Sequence, residues 1–293
     1  DYAVTGVQTC ALPISSLLAL VAVLHITESL LILVDGDRRA LPVYLQRPEG
    51  TVGGYLLQRV WPMPLICLSM AMAAPHDSVV YLNNPNWWPL IPLEAAKSSV
   101  NTLVFLALPA AVALGYGDLA MTTTPRRKAL RTAGLLGLYS LALLALAVAA
   151  VKLPSFAWVA ALFAPLGHEL VLFTARRMEL RGKPAFAQAG NGVTILAVLP
   201  NTGAERAGLR PGRVIVRLDG QPVRNKGEFL ARLGESAHPA ALVTADPDGL
   251  NERDHELRRG SKHLGLVLAP DPDEPAQVKL GPWRFLPTRR GIL

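Results

Sequence analysis

Two short constellations carry side chains able to do chemistry. The first is His168-Glu169-Leu170-Val171-Leu172. In the zinc-hydrolase pattern His-Glu-x-x-His, residues four apart put two imidazoles on one helical face, and the glutamate acts as general base. Here Leu172 stands where the second imidazole is needed. Catalytic zinc takes three protein ligands, and one His with one Glu cannot supply them, so no zinc site is assigned to this pair and no cofactor is assigned to the chain. The second constellation is His25 with Glu28, three residues apart and therefore neighbours on a helix. All four side chains lie in apolar runs, where ionisable residues are functional candidates by default. One reading is a polar cluster, His25 and Glu28 facing His168 and Glu169, hydrogen-bonded to join two helices. The other is a proton path or a bound metal. Ser, His and Asp form no nucleophile motif, and no catalytic residue is assigned.

The elements that must position these residues are long apolar runs. A spanning helix needs about 20 mostly apolar residues. Five runs are expected to span: SLLALVAVLHITESLLILV (16–34), VWPMPLICLSMAMAA (60–74), SSVNTLVFLALPAAVAL (98–114), AGLLGLYSLALLALAVAAV (133–151) and SFAWVAALFAPLGHELVLF (155–173). The second is short and carries Pro62 and Pro64. Composition agrees: 51% of residues are hydrophobic and 17% charged, against about 25% charged in soluble domains.

Charge divides the chain. Residues 1–173 hold 10 Lys+Arg and 9 Asp+Glu, whereas 174–293 hold 19 and 13. The basic excess is scattered, without a basic helix or interleaved aromatics, so a nucleic-acid partner is not expected and anionic lipid headgroups are. Short cytoplasmic loops favour Lys and Arg. Arg38, Arg39, Arg47 and Arg59 follow the first run, Lys97 alone the second, Arg126, Arg127, Lys128 and Arg131 the third, Lys152 alone the fourth, and TARRMELRGK the fifth. Trp87 and Trp88 fall where an outer aromatic belt would lie. The alternation predicts a multi-pass membrane protein whose soluble part lies on the cytoplasmic side. Two cysteines, Cys10 and Cys67, exclude a disulfide framework.

From residue 182 the pattern becomes short strands with turn punctuation. NGVTILAVLP (191–200) alternates as a half-buried strand would, and Thr202 with Glu205 has capping-box spacing. RVIVRLDG ends in the hairpin dipeptide Asp219-Gly220, and Asn225 with Glu228 caps KGEFLARL, whose Phe229, Leu230 and Leu233 can share a face. ALVTAD and HLGLVLAP supply later strands, and 271–293 reads as a Pro-rich tail.

GVTILAVLPNTGAERAGLRPGRVIVRLDGQPV resembles the strand–helix–strand signature of PDZ domains, departing at Arg213, where an Asp is common. The resemblance implies a cytoplasmic peptide-binding domain over 182–270 that captures protein or peptide ligands, usually C-terminal tails, by strand addition. The receiving strand would be Pro184, Ala185, Phe186 and Ala187, faced by a helix over 226–233. Phe229 and Leu233 serve equally as groove wall or as core.

LHITESLLILVDGDRRALPVYLQRPEGTVGGYLLQRVWPMPL (24–65), with its Val52-Gly53-Gly54 turn, its Leu57–Pro62 stretch and the later Gly-His-Glu, is similar to the membrane region of MinJ-like proteins. These are bacterial division-site determinants with a C-terminal PDZ domain. The fold class implied is an α-helical polytopic membrane domain (15–174) followed by a small α+β PDZ-like domain. The implied function is a non-enzymatic membrane scaffold recruiting cytoplasmic partners, with a role in cell-division site placement. Two alternatives stay open: a degenerate site-2-protease-like protein, and a transporter or sensor using the intramembrane His/Glu residues. Residues 4–14, VTGVQTCALPI, resemble a translated sequencing-library adapter, so 1–14 are set aside and preceding helices are expected to have been lost.

Overall fold

A computed structural model describes residues 14–73, 102–153, 155–236, 239–258 and 264–279. The adapter-like stretch through residue 13, Trp87, Trp88, Lys97 and residues 280–293 lie outside them. The chain divides into two compact units: Asp1–Gly36, Gln58–Tyr116 and Ala129–Arg177 form one, and Asp37–Leu57, Gly117–Lys128 and Met178–Leu293 the other.

The first unit holds most of three helices: α1 (Ile14–Asp35), α2 (Pro125–Lys152) and α3 (Ser155–Arg181). Each is long and apolar enough to cross a membrane. Proline opens α2 at its first position, where no helical N–H is required. Small and polar residues bring the helices together, as expected where burial in lipid gives no hydrophobic drive. Ser29 Oγ of α1 donates to the Ala133 carbonyl of α2 at 2.7 Å, and a Cβ on Gly137 would lie 3.0 Å from that hydroxyl oxygen. Tyr139 Oη of α2 donates to the Ala164 carbonyl of α3 at 2.7 Å. At the end of α1, Asp35 accepts from Arg59 at 2.5 Å and from the Trp61 indole at 3.2 Å.

The second and third expected spans are not helices. Residues 60–73 continue a long strand, β2 (Gly50–Ala73), and 102–114 belong to its sheet neighbour β3 (Thr102–Ala120). Pro62 and Pro64 oppose a helical turn in one run, and Pro109 in the other, which Gly115 and Gly117 directly follow. Both Pro62 and Pro64 lie beyond Leu56, the last β2 residue paired with β1 (Leu41–Arg47), so no ladder bond to β1 is lost there. Nor is Val52-Gly53-Gly54 a turn. It lies inside β2, and the hairpin turns at Pro48-Glu49, between Arg47 and its partner Gly50.

The second unit is built on a sheet in the order β8-β7-β5-β4-β9, with β6 on β5. Its strands are β4 (Val193–Val198), β5 (Val214–Leu218), β6 (Gln221–Pro222), β7 (Ala240–Ala245), β8 (Arg253–Leu257) and β9 (Leu266–Leu268). Between them lie α4 (Gly203–Arg206) and α5 (Lys226–Glu235). Asp219 and Gly220 both have positive φ, 49° and 77°, which turns β5 tightly into β6. Asn225 caps α5 by accepting from Glu228 N at 2.8 Å. The expected Thr202 capping box is not made: Glu205 accepts from Asn201 N at 2.7 Å, one residue before the cap, and Thr202 Oγ1 donates backward to the Leu199 carbonyl. The core gathers Val193, Ile195, Ile215, Leu218, Phe229 and Leu242, with others, between sheet and helices.

Strand β4 was expected to be half-buried, yet Val193 through Ala197 are all buried. The cause is the β1–β2 hairpin, which covers its other face: Tyr55 Oη donates to the Leu196 carbonyl, and Gly53 lies against the Leu196 side chain. Residues 271–279 are also more than a tail. They run beside the hairpin and end in β10 (Val278–Lys279), which pairs in parallel with β1 through Leu45↔Val278.

Candidate functional site

The expected receiving strand, residues 184–187, is not a strand: it runs as a turn with one isolated bridge at Phe186, because its main chain is held by single bonds to separate segments. Ala185 N donates to the Met121 carbonyl at 2.8 Å, and the Phe186 carbonyl accepts from Gly53 N at 3.0 Å. The Ala187 carbonyl accepts from Thr194 Oγ1 at 2.8 Å. Gly53 and Phe186 form an isolated antiparallel bridge. Phe186 itself is 1% exposed, its ring edge-on to Tyr55 at 5.2 Å. Glycine at 53 is a steric requirement, since a Cβ there would lie 2.8 Å from Leu196 Cδ1 and 2.9 Å from the Phe186 carbonyl oxygen. A glycine inside a strand marks such close backbone approach.

On α5 the three candidate residues separate by helical angle. Phe229 is 1% exposed and belongs to the core, so it lines no open groove. Leu233 is partly buried against the same core. Leu230, one step of about 100° from Phe229, is 51% exposed. Pro184 and Ala187 are half-buried.

Residues that the sequence reading passed over tie α5 to the segment after β9. Lys226 Nζ, at the start of α5, meets both Glu274 carboxylate oxygens at 2.7 and 2.9 Å and lies 5.3 Å from the Tyr44 ring centroid. Burial alone would lower the Lys226 pKa, but the hydrogen bonds and the charge of Glu274 raise it on balance. Thr51 N donates to the Pro272 carbonyl at 2.9 Å, and Thr51 Oγ1 to that of Glu274 at 2.5 Å. Gln277 exchanges bonds with the Tyr44 backbone at 3.0 and 3.3 Å. The Gly53-Gly54 pair was the available sequence signal, because two adjacent glycines amid strand-forming residues indicate backbone approached from outside.

In the helical unit, His25 Nδ1 donates to Glu28 Oε2 at 3.0 Å. The His25 ring stacks on that of His168 at 5.3 Å, and Tyr139 stands edge-on to both, at 5.7 and 6.2 Å. Glu169 does not join them: adjacent helical residues point about 100° apart, and Glu169 is exposed. No group of three metal-ligating side chains occurs among the described residues.

No protein-family model matches the chain. It is homologous to the cell division topological determinant MinJ of Bacillus subtilis, 26% identical over 264 residues, 88% of this chain and 62% of that protein. The chain therefore spans about three-fifths of this relative's length. A shorter stretch is 39% identical over 106 residues to the magnetosome formation protease MamE of Magnetospirillum gryphiswaldense, 36% of this chain and 12% of MamE. Another is 39% identical over 79 residues to the putative serine protease HhoA of Synechocystis, 27% of this chain and 17% of HhoA.

Proposed function

We propose that this chain is a bacterial multi-pass membrane adaptor with no catalytic activity of its own. In this reading residues 182–270 form a cytoplasmic PDZ domain that recruits protein partners, and the assembly helps to place the division site. The observation that carries the proposal is the similarity to a division determinant along 88% of the chain. The protease-named relatives match only a limited stretch, and Leu172 deprives His168-Glu169 of the partner a zinc site needs. The strand–helix order of the second unit, with Asp219-Gly220 between β5 and β6 and the Asn225-capped α5, supports the domain assignment. Leu230, exposed on α5, is the helix residue best placed to meet a ligand side chain.

The test is made in the bacterium that encodes the protein. A fluorescent fusion should concentrate at septa or poles, and deleting the gene should shift septum position and broaden the cell-length distribution. An even membrane signal with normal division in the deletion strain would reject the division role. The sensor reading has no comparable support: the His25–Glu28–His168 contacts serve equally well to join helices.

A further inference from the structure

We infer that the chain closes its own peptide site, with the β1–β2 hairpin paired where a ligand strand would add and the Lys226–Glu274 ion pair latching it shut. The inference rests on the PDZ reading above and adds a regulation to it. Strand addition needs free main-chain groups on the receiving segment. Here Gly53 already bridges Phe186, and Tyr55 adds a buried hydroxyl bond to the Leu196 carbonyl on the neighbouring strand.

The hairpin does not stand alone. Residues 271–279 strap it to the sheet: Thr51 bonds to Pro272 and Glu274, Tyr44 to Gln277, and Tyr44 Oη donates to the Leu268 carbonyl at 3.1 Å. Glu274 then reaches Lys226 at the first turn of α5, the helix that the PDZ reading makes the other wall of the groove. One ion pair thus joins the strap to the groove helix, and the hairpin is held between them. An extended ligand must displace the Gly53 backbone from Phe186, so its apparent affinity falls by the fraction of molecules in which the hairpin is displaced. Sequence continuity puts the hairpin directly after α1, so a change in the membrane segment has a covalent route to the site.

The experiment uses the full chain in detergent micelles, as wild type and as two variants. Glu274→Gln removes the latch charge while keeping the side-chain volume. Gly53→Ala puts a methyl 2.8 Å from Leu196 Cδ1 and 2.9 Å from the Phe186 carbonyl oxygen, which pushes the hairpin away. The probe is an array of ten-residue peptides with free C-terminal carboxylates and Val, Leu or Ile last, each duplicated as the amide. Hydrogen exchange of the 50–56 segment reports hairpin release independently. The expected result is about tenfold tighter retention of carboxylate peptides by both variants, together with faster exchange at 50–56. Equal retention by wild type and variants would overturn self-closure and leave peptide binding standing. Faster exchange in the variants with no peptide retained by any protein would overturn peptide binding, and self-closure with it.

Discussion

The Arg213 guanidinium meets the Asp246 carboxylate at 2.7 Å, joining the start of β5 to the turn between β7 and β8. Arginine here does more than replace the aspartate common in the resembled family. Its Nε donates to Thr244 Oγ1 at 3.0 Å and its Nη2 to the Thr244 carbonyl at 3.1 Å. Since Thr244 Oγ1 accepts from arginine, its own proton is free for His255 Nε2 at 2.9 Å, while His255 Nδ1 donates to the Ala207 carbonyl at 2.7 Å. Arg213→Ala should lower stability by about 2 kcal/mol, as charge-assisted bonds are lost and Thr244 loses a donor. Arg213→Asp should cost more, because it sets a second carboxylate beside Asp246. Thermal melts rank the variants, and nitrogen NMR of the imidazole should show the Nδ1–H tautomer of His255 in wild type.

Lys128 is 2% exposed, with Nζ 3.2 Å from Asp118 and 3.7 Å from Glu179. Glu179 also accepts from Met121 N and Thr122 N at 2.8 and 2.9 Å. The start of α2, the end of β3 and the last turns of α3 thus share one buried charge network. Lys128→Met would leave two carboxylates without their buried cation and should cost about 3–5 kcal/mol. Adding Glu179→Gln to that variant should recover part of the loss, since the two changes act on one network. Thermal unfolding in micelles measures both, and additive losses would contradict the coupling.

Burial pushes the Tyr55 hydroxyl up from 10.0 to about 12, so the folded state favours the neutral phenol. A raised pKa gives a stability contribution that is complete below the unfolded value near 10 and is lost as pH rises through the folded value. Unfolding should therefore become easier between about pH 10 and pH 12. Tyr55→Phe should flatten that alkaline limb and cost about 1–3 kcal/mol at neutral pH, because the buried Leu196 carbonyl loses its donor. Chemical denaturation repeated across this pH range separates the two effects.

How much of this was legible follows from where the information sits. Helices α1, α2 and α3 were plain because composition alone decides an apolar run of that length. Asp219-Gly220 and Asn225 were plain because their backbone roles are local. The nature of 60–73 was obscured, since an apolar run fits a buried strand as readily as a span, and only Pro62 and Pro64 weighed against a helix. The cover on β4 was illegible for another reason: Gly53 meets Phe186 across more than a hundred residues of chain, and no periodicity encodes a contact of that kind. Glu274, in a stretch that reads as tail by its prolines, becomes a latch only once Lys226 is beside it.

Asp271, in the strap, has its carboxyl pKa raised, first by burial and then by the nearby charge of Glu274. A raised carboxyl pKa means that the ionised form is the less favoured one in the fold. The stabilising contribution is present below the unfolded value of 3.8, disappears as pH rises through the folded value, and is absent at neutral pH. Asp271→Asn should stabilise the strap at pH 7, by less than about 1 kcal/mol because solvent screens the site. Slower hydrogen exchange over 271–279 in the variant would show this, and faster exchange would refute it.

Helices α2 and α3 approach closely where Gly167 faces Tyr139. A Cβ on Gly167 would lie 2.7 Å from Tyr139 Cε2 and 2.8 Å from Cδ2, so Gly167→Ala must displace the ring. That ring is held by its hydroxyl bond to Ala164 and lies beside Phe163 at 5.6 Å, so it cannot swing aside without losing both. Overpacking of this kind costs about 1–3 kcal/mol, and the expected outcome is a lower melting temperature in micelles. Gly134, where an added Cβ meets nothing within 4 Å, supplies the control: Gly134→Ala should leave the melt unchanged or raise it slightly, because alanine favours the helix. Equal effects at the two positions would mean that helix propensity, and not the close approach of Gly167 to Tyr139, governs this crossing.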